Sequence, residues 1–178
     1  MDVNKGSVII ITGDGKGKTT TALGEAFKFW LNGKKVLVLQ FIKGSRVYGE
    51  LKAAEKLGPN FIIKQMGLGF VRSASEEKIA EHRAAAHNAI KEAKASILSG
   101  DYDLIILDEL LYSIGFGLIE VEDVITNLIK PRPESLSLIL TGRNAPADLV
   151  DLADHVVEAK ELKHHFKQGI PAQAGIEF

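Results

Sequence analysis

The sequence contains no cysteine, which excludes disulfides, thiolate nucleophiles, iron–sulfur clusters and cysteine-ligated zinc. It also lacks net charge. With 22 basic and 23 acidic side chains the balance is -1 at neutral pH, so no electrostatic pull toward nucleic acid or a membrane surface is expected. No apolar run approaches the ~18 residues of a membrane span. The opening "MDVNKGSVII" lacks the charged start and long apolar stretch of a secretory signal. Arginine is scarce: the five are Arg46, Arg72, Arg83, Arg132 and Arg143, too scattered to form the lid cluster of a kinase. The histidines offer no metal pair, because His82 and His87 do not share a helix face and the side chains of adjacent His164 and His165 diverge. What remains is a 178-residue chain with 46% hydrophobic and 25% charged residues. That suits one globular domain, residues 1–178, expected in the cytoplasm.

Short β-branched runs alternate with segments of helical period. Val8–Ile11, Val36–Ile42, Phe61–Lys64, Leu104–Leu107, Leu136–Leu140 and His155–Glu158 read as strands covered on both faces. Between them, Leu23, Ala26, Phe27, Trp30 and Leu31 mark a helical face over Lys18 to Leu31. Ile79, Ala86, Ile90, Ala93 and Ile97 mark another from Ser75 to Leu98, ended by Gly100. Shorter helices are predicted over Val121–Ile129 and Ala145–Ala153. Such alternation predicts an α/β fold, a mostly parallel central sheet flanked by helices in three layers. Ligands of such sheets bind beyond the carboxyl ends of the strands, where the glycine loop, "QFIKG", "DEL" and "TGRN" fall.

The stretch "TGDGKGKTTTALG" follows the first strand and opens the first predicted helix. Aligned on Gly17-Lys18-Thr19, it departs from the phosphate-loop pattern only at the first glycine, where Thr12 stands one residue before Gly13. Glycines allow backbone N–H groups to turn inward, and the helix N-terminus favours anions. Lys18 would neutralise phosphate oxygens and the Thr19 hydroxyl would bind Mg²⁺. Asp108 and Glu109, delivered by an apolar strand, supply the second half of a nucleoside-triphosphate site. These features alone leave the reaction open. Glu109 could orient water and Arg143 could act as an arginine finger, as in an ATPase or kinase holding its nucleotide in the conventional sense.

A choice comes from resemblance. The stretches "TGDGKGKTTTALGEA", "VLVLQFIKG" with "YGE", "MGLGF", "DYDLIILDELLYSIGFGLI", "LILTGRNAPADLVDLADHVVEAKELKHHF" and "GIPAQAGIEF" resemble the P-loop-type ATP:corrinoid adenosyltransferases. These enzymes act on cob(I)alamin or cob(I)yrinic acid a,c-diamide. The match runs nearly end to end, with "TGRNAP" and "AQAGIEF" more specific than the glycine loop. It implies a P-loop NTPase-like fold and transfer of the 5′-deoxyadenosyl group of ATP to reduced cobalt, with release of triphosphate. ATP would lie in the reverse sense to most P-loop proteins, so that C5′ faces the attacker.

On that resemblance Gly13, Asp14, Gly15, Lys16, Gly17, Lys18, Thr19 and Thr20 hold ATP with Arg143 and Asn144. Thr19 and Glu109 would be Mg²⁺ ligands, with Asp108 in support, and Lys18 would stabilise the departing triphosphate. Asp14 stands where the family usually has asparagine. The corrinoid would lie over the carboxyl edge, with Phe70 displacing the lower axial ligand of cobalt and Arg72 at a position where tryptophan is usual. Tyr112 and Phe116 either floor that pocket or pack beneath it. The resemblance further implies an electron donor such as a flavoprotein and a homodimer. Few residues precede the first strand, so closure over the site is expected from elsewhere, such as the tail. A nucleotide-dependent module that delivers the corrinoid without modifying it is the remaining alternative.

Overall fold

The computed structural model describes residues 5–44, 49–71, 75–163 and 173. The expectations for Arg72, for the paired His164 and His165 and for a closing tail lie outside the described residues. Six runs form strands: β1 Val8–Thr12, β2 Val36–Gln40, β3 Phe61–Gln65, β4 Leu104–Asp108, β5 Ser137–Thr141 and β6 His155–Glu158. They make one sheet in the order β3-β2-β4-β5-β1-β6, and every neighbouring pair is parallel. The helices are α1 Lys18–Leu31, α2 Gly49–Leu57, α3 Glu76–Ser99, α4 Leu110–Gly115, α5 Val121–Val124 and α6 Ala147–Leu152.

Strand side chains alternate between faces, and the two cores separate on that rule. Val8, Ile10, Leu37, Leu39, Ile105, Leu107, Leu138 and Leu140 face one layer, with Ala86, Ala93 and Ile97 of α3, Leu110 and Leu111 of α4, and Leu149 of α6. Ile11, Val36, Val38, Leu104, Ile106 and Ile139 face the other, against Ala22 and Ala26 of α1 and Ala54 of α2. Each aliphatic side chain removed from water in this way contributes about 1.5–3 kcal/mol. The three-layer α/β expectation therefore holds, and the described sheet is wholly parallel.

Helix α1 has the predicted bounds and part of the predicted face: Ala26 is buried and Leu23 and Trp30 pack against the core. Ala22 and Ala26 are its fully buried positions, while Phe27 and Leu31 point outward. Small residues at i and i+4 let a helix lie close to a sheet, and bulk then sits on the flanks. Trp30 is partly buried there, its indole N–H donating to the Leu57 carbonyl at 3.1 Å. In α3 the Ser75 hydroxyl caps the first turn by accepting from the Lys78 N–H, with Glu76 and Glu77 in that turn. Gly100 ends the helix in left-handed geometry.

The helix predicted over Val121–Ile129 splits into α5 and a π-helical turn, Ile125–Ile129. The Thr126 hydroxyl donates to the Glu122 carbonyl, and Asn127 donates to that of Asp123. Such side-chain bonds compete with the backbone ladder, and the Lys130 N–H reaches back to Ile125. Strand β5 separates β1 from β4, so the glycine loop and the acidic strand end meet across it. The ends of β2, β4 and β5 are Gln40, Asp108 and Thr141, polar yet buried.

Candidate active site

The loop after β1 is shaped by close approach. Gly13 has φ 99°, and a Cβ there would lie 2.5 Å from the Ala159 carbonyl oxygen, so only glycine fits. The same carbonyl accepts the Gly15 N–H at 2.7 Å, which ties the loop to the chain leaving β6. Gly17 then turns into α1, whose N-terminal N–H groups open toward the cleft. Lys18 folds back over the loop, donating to the carbonyls of Gly13 at 2.7 Å and Gly15 at 2.6 Å. Burial lowers its pKa and the Arg143 charge acts in the same direction, opposed by Asp14 and Glu109.

Beneath the loop lies a compact polar network. The Thr19 hydroxyl donates to Asp108 Oδ1 at 2.9 Å, and the Thr141 hydroxyl donates to the same oxygen at 2.7 Å. Asp108 Oδ2 faces Gln40 Nε2 at 3.3 Å and Lys43 Nζ at 3.6 Å. Lys43 also pairs with Glu50 at 2.6 Å. Burial alone would lower the Lys43 pKa, but Asp108, Glu50 and Glu109 outweigh it and hold the ammonium above its ordinary value. Lys43, Glu50, Gln40 and Thr141 were not singled out from the sequence. For Gln40, Lys43 and Thr141 the visible signal is a polar residue at or just past the end of an otherwise apolar strand, brought together by the β2–β4–β5 register that pairs Gln40 with Asp108; Glu50 comes instead from the first turn of α2.

Glu109 adopts left-handed backbone geometry, φ 63°, and its N–H donates to the Thr141 hydroxyl at 2.9 Å. Its Oε2 is buried without a hydrogen-bond partner. Burial, reinforced by the Asp108 charge, pushes its carboxyl up to about 7. A cation suits this arrangement. Asp108 is fully engaged by its neighbours and supports Thr19 from below, whereas Glu109 retains an acceptor oxygen that a divalent ion would satisfy.

The titration has a measurable consequence for stability. In the nucleotide-free protein the folded state holds a proton on Glu109 between its ordinary 4.5 and about 7, where the unfolded chain does not. Stability is therefore favoured at the acid end of that window and lost as pH rises through it, by on the order of 3 kcal/mol. Glu109→Gln should remove this dependence and melt higher than the parent above pH 7. Equal melting temperatures for parent and variant at pH 8 would refute the raised Glu109 carboxyl.

Asp14, Gly15, Lys16, Gly17, Lys18, Thr19, Thr20 and Arg143 line one open cleft of about 350 Å³, with Leu23, Lys43, Glu50, Glu109, Tyr112, Thr141 and Gly142. Asp108 lies under its floor. Asn144 is outside the lining, in a left-handed turn with φ 52°. Gly142 lets that turn pass α4, since a Cβ would come 2.6 Å from Leu111 Cβ. Arg143 spans the rim: its Nε lies 3.5 Å from Asp14 Oδ1 and its guanidinium lies over the Tyr112 ring, 6.0 Å from the centroid. Beyond it, Phe70 meets Tyr112 edge to face at 5.9 Å, and Tyr112 stacks with Phe116 at 6.2 Å. Phe70 and Phe116 are both exposed. Phe70, Tyr112 and Phe116 thus form a contiguous aromatic wall beside the cleft.

A phosphate-cradling loop on a parallel sheet, with an acidic strand end beside it, defines a P-loop nucleotide-binding protein. Sequence comparison gives the family: residues 4–178 match ATP:corrinoid adenosyltransferase BtuR/CobO/CobP, and the chain belongs to that family. It is 37% identical to the corrinoid adenosyltransferase of Escherichia coli K12 over 98% of this chain and 86% of that protein. It is 38% identical to the corrinoid adenosyltransferase CobA of Salmonella typhimurium LT2, with the same shares covered. Among solved structures it is similar to the RadB recombinase, at 17% identity and a TM-score of 0.46 over 90% of this chain and 77% of that one. Membership makes the chain an adenosyltransferase, a transferase acting on ATP and a corrinoid. No described helix is long and apolar enough to cross a membrane.

Proposed function

We propose that the chain moves the 5′-deoxyadenosyl group of ATP to Co(I) of a corrinoid in adenosylcobalamin synthesis or salvage, with ATP anchored by its triphosphate so that C5′ faces the aromatic wall. The observation that carries this reading is the adjacency of a polyphosphate cradle and an exposed Phe70–Tyr112–Phe116 surface. An aromatic wall suits a macrocycle better than a phosphate acceptor. The loop N–H groups and Lys18 hold the triphosphate, with Lys16 and Arg143 at its margins. A Mg²⁺ ion held by Thr19 and Glu109 would offset triphosphate charge.

The cobalt lone pair attacks C5′, the C5′–O5′ bond breaks, and its electron pair leaves on triphosphate as the cobalt–carbon bond forms. Cobalt passes formally from Co(I) to Co(III). No general base is needed, since the nucleophile carries no proton. The protein's work is alignment and stabilisation of the leaving group. An electron donor such as a flavoprotein, a cytoplasmic setting and a homodimer complete the reading.

Glu109 and Arg143 beside the loop favour the rival reading, hydrolysis or phosphoryl transfer in the conventional orientation. Incubation with ATP, Mg²⁺, a reductant and cob(II)alamin separates the two. Triphosphate with a light-sensitive cobalt–carbon bond supports adenosyl transfer; ADP or free phosphate supports the rival. Tight corrinoid binding without turnover would mark a delivery module.

Phe70→Ala tests the aromatic wall. It should slow turnover of cob(II)alamin at least tenfold more than reaction with chemically pre-reduced Co(I), because ligand displacement matters only before reduction. Equal losses in the two assays would remove Phe70 from that role.

A further inference from the structure

Asp14 is an acid within a loop built for anions, and its surroundings suggest why it is tolerated. Its carboxylate faces Arg143 Nε at 3.5 Å, and its backbone carbonyl accepts from the same guanidinium at 3.3 Å. That guanidinium also covers the Tyr112 ring, and Tyr112 in turn touches Phe70. Arg143 is thus held at the rim between the phosphate loop and the aromatic wall.

We propose that Asp14 is a positioning residue: its carboxylate parks Arg143 over Tyr112, and an arriving polyphosphate must compete with it for the guanidinium. The inference rests on the cleft being the ATP site. Competition makes Asp14 a brake on nucleotide affinity that acts through Arg143. The pair is largely exposed, with side-chain exposures of 45% for Arg143 and 74% for Asp14, so the brake is modest. Because Arg143 rests on Tyr112, its capture by phosphate also uncovers the aromatic wall. Nucleotide occupancy would thereby be linked to the surface offered to the second substrate.

Asp14→Asn removes the charge and keeps both the backbone carbonyl and a side-chain acceptor. Calorimetric titration of the full chain with ATP and Mg²⁺ should show binding tightened roughly two- to fivefold. The gain should be smaller for ADP and smallest for AMP, following ligand charge. Repeating the titration in 0.3 M NaCl screens charges more than about 6 Å apart, leaving the contact competition. There the gain should persist in the parent background and vanish in the Arg143→Gln background. An equal gain in both backgrounds would show Asp14 acting as a bulk charge, and no gain or weaker binding would equally overturn the proposal. Failure of the parent to bind ATP would overturn the site reading and this inference together, whereas normal parent binding with an insensitive variant sinks the inference alone.

Discussion

Lys18→Ala is expected to lower the rate of triphosphate release by about 10²–10³-fold, the cost of losing one preorganised donor to developing negative charge. It should leave the melting temperature within about 2–4 °C of the parent. The contrast follows from what the side chain touches. Its ammonium donates to two loop carbonyls, those of Gly13 and Gly15, and Lys18 itself lines an open cleft that water can enter. Water can take over those acceptors, so the net loss to folding is about 1 kcal/mol. The loop itself is fixed by other means: the Gly15 N–H donates to Ala159, and the Ala159 N–H donates to the Thr12 carbonyl. A triphosphate oxygen at the breaking C5′–O5′ bond has no such substitute, because water there would add hydrolysis without supplying fixed charge. Circular dichroism melts and product analysis on one preparation check both halves. Unfolding of the variant would move Lys18 from chemistry to architecture, and a rate within tenfold of the parent would remove it from the leaving-group cradle.

The same contrast explains what the sequence made legible. Strands β2, β4 and β5 are buried along their whole length, and uninterrupted apolar runs reveal them; β6, expected to be covered on both faces as well, lies at the sheet edge with all four residues exposed. All six were read within two residues of their ends. Helix α3 was equally plain, since Ser75 and Gly100 mark its ends and an alanine–isoleucine stripe its face. Helices α2 and α4 were missed for different reasons. Gly49–Leu57 is only nine residues long and buries only Ala54, so its apolar repeat of Leu51, Ala54 and Leu57 is too brief to stand out. Leu110–Gly115 is too short to show a period and starts from a left-handed Glu109 that local propensity does not suggest.

The site divides the same way. The glycine loop, Thr19, Asp108 and Glu109 are local motifs and could be named from spacing. Thr141 lies 33 residues from Asp108 and Gln40 lies 68 away, so only sheet register reveals that they share one carboxylate. The pairing of Asp14 with Arg143 spans 129 residues and shows only where the ends of β1 and β5 lie side by side.

That shared carboxylate gives the second large effect. Asp108 is wholly buried and is met by Thr19, Thr141, Gln40 and Lys43. Asp108→Ala leaves the Thr141 hydroxyl without its acceptor, takes from the Gln40 amide one of its two carboxylate acceptors, Glu50 being the other, and leaves Lys43 paired with Glu50 across a missing charge. Breaking a buried charged network from one side costs about 3–5 kcal/mol, which for a chain of this length lowers the melting temperature by roughly 6–20 °C. Activity should vanish as well, since the Thr19 hydroxyl loses the group that orients it toward the cleft.

Asp108→Asn separates the two effects. Its remaining oxygen can accept from Thr19 and Thr141, while its amide nitrogen faces Gln40 and the Lys43 ammonium, where it offers no acceptor. Stability should fall by about half as much as in the alanine variant, yet turnover should stay lost because the negative charge supporting the proposed cation site is gone. The ordering to test is parent above Asn above Ala in melting temperature, with both variants inactive. If Asp108→Asn kept both the parent melting temperature and parent turnover, the charge on Asp108 would hold neither the network nor the nucleotide site, and the polar floor would be passive packing.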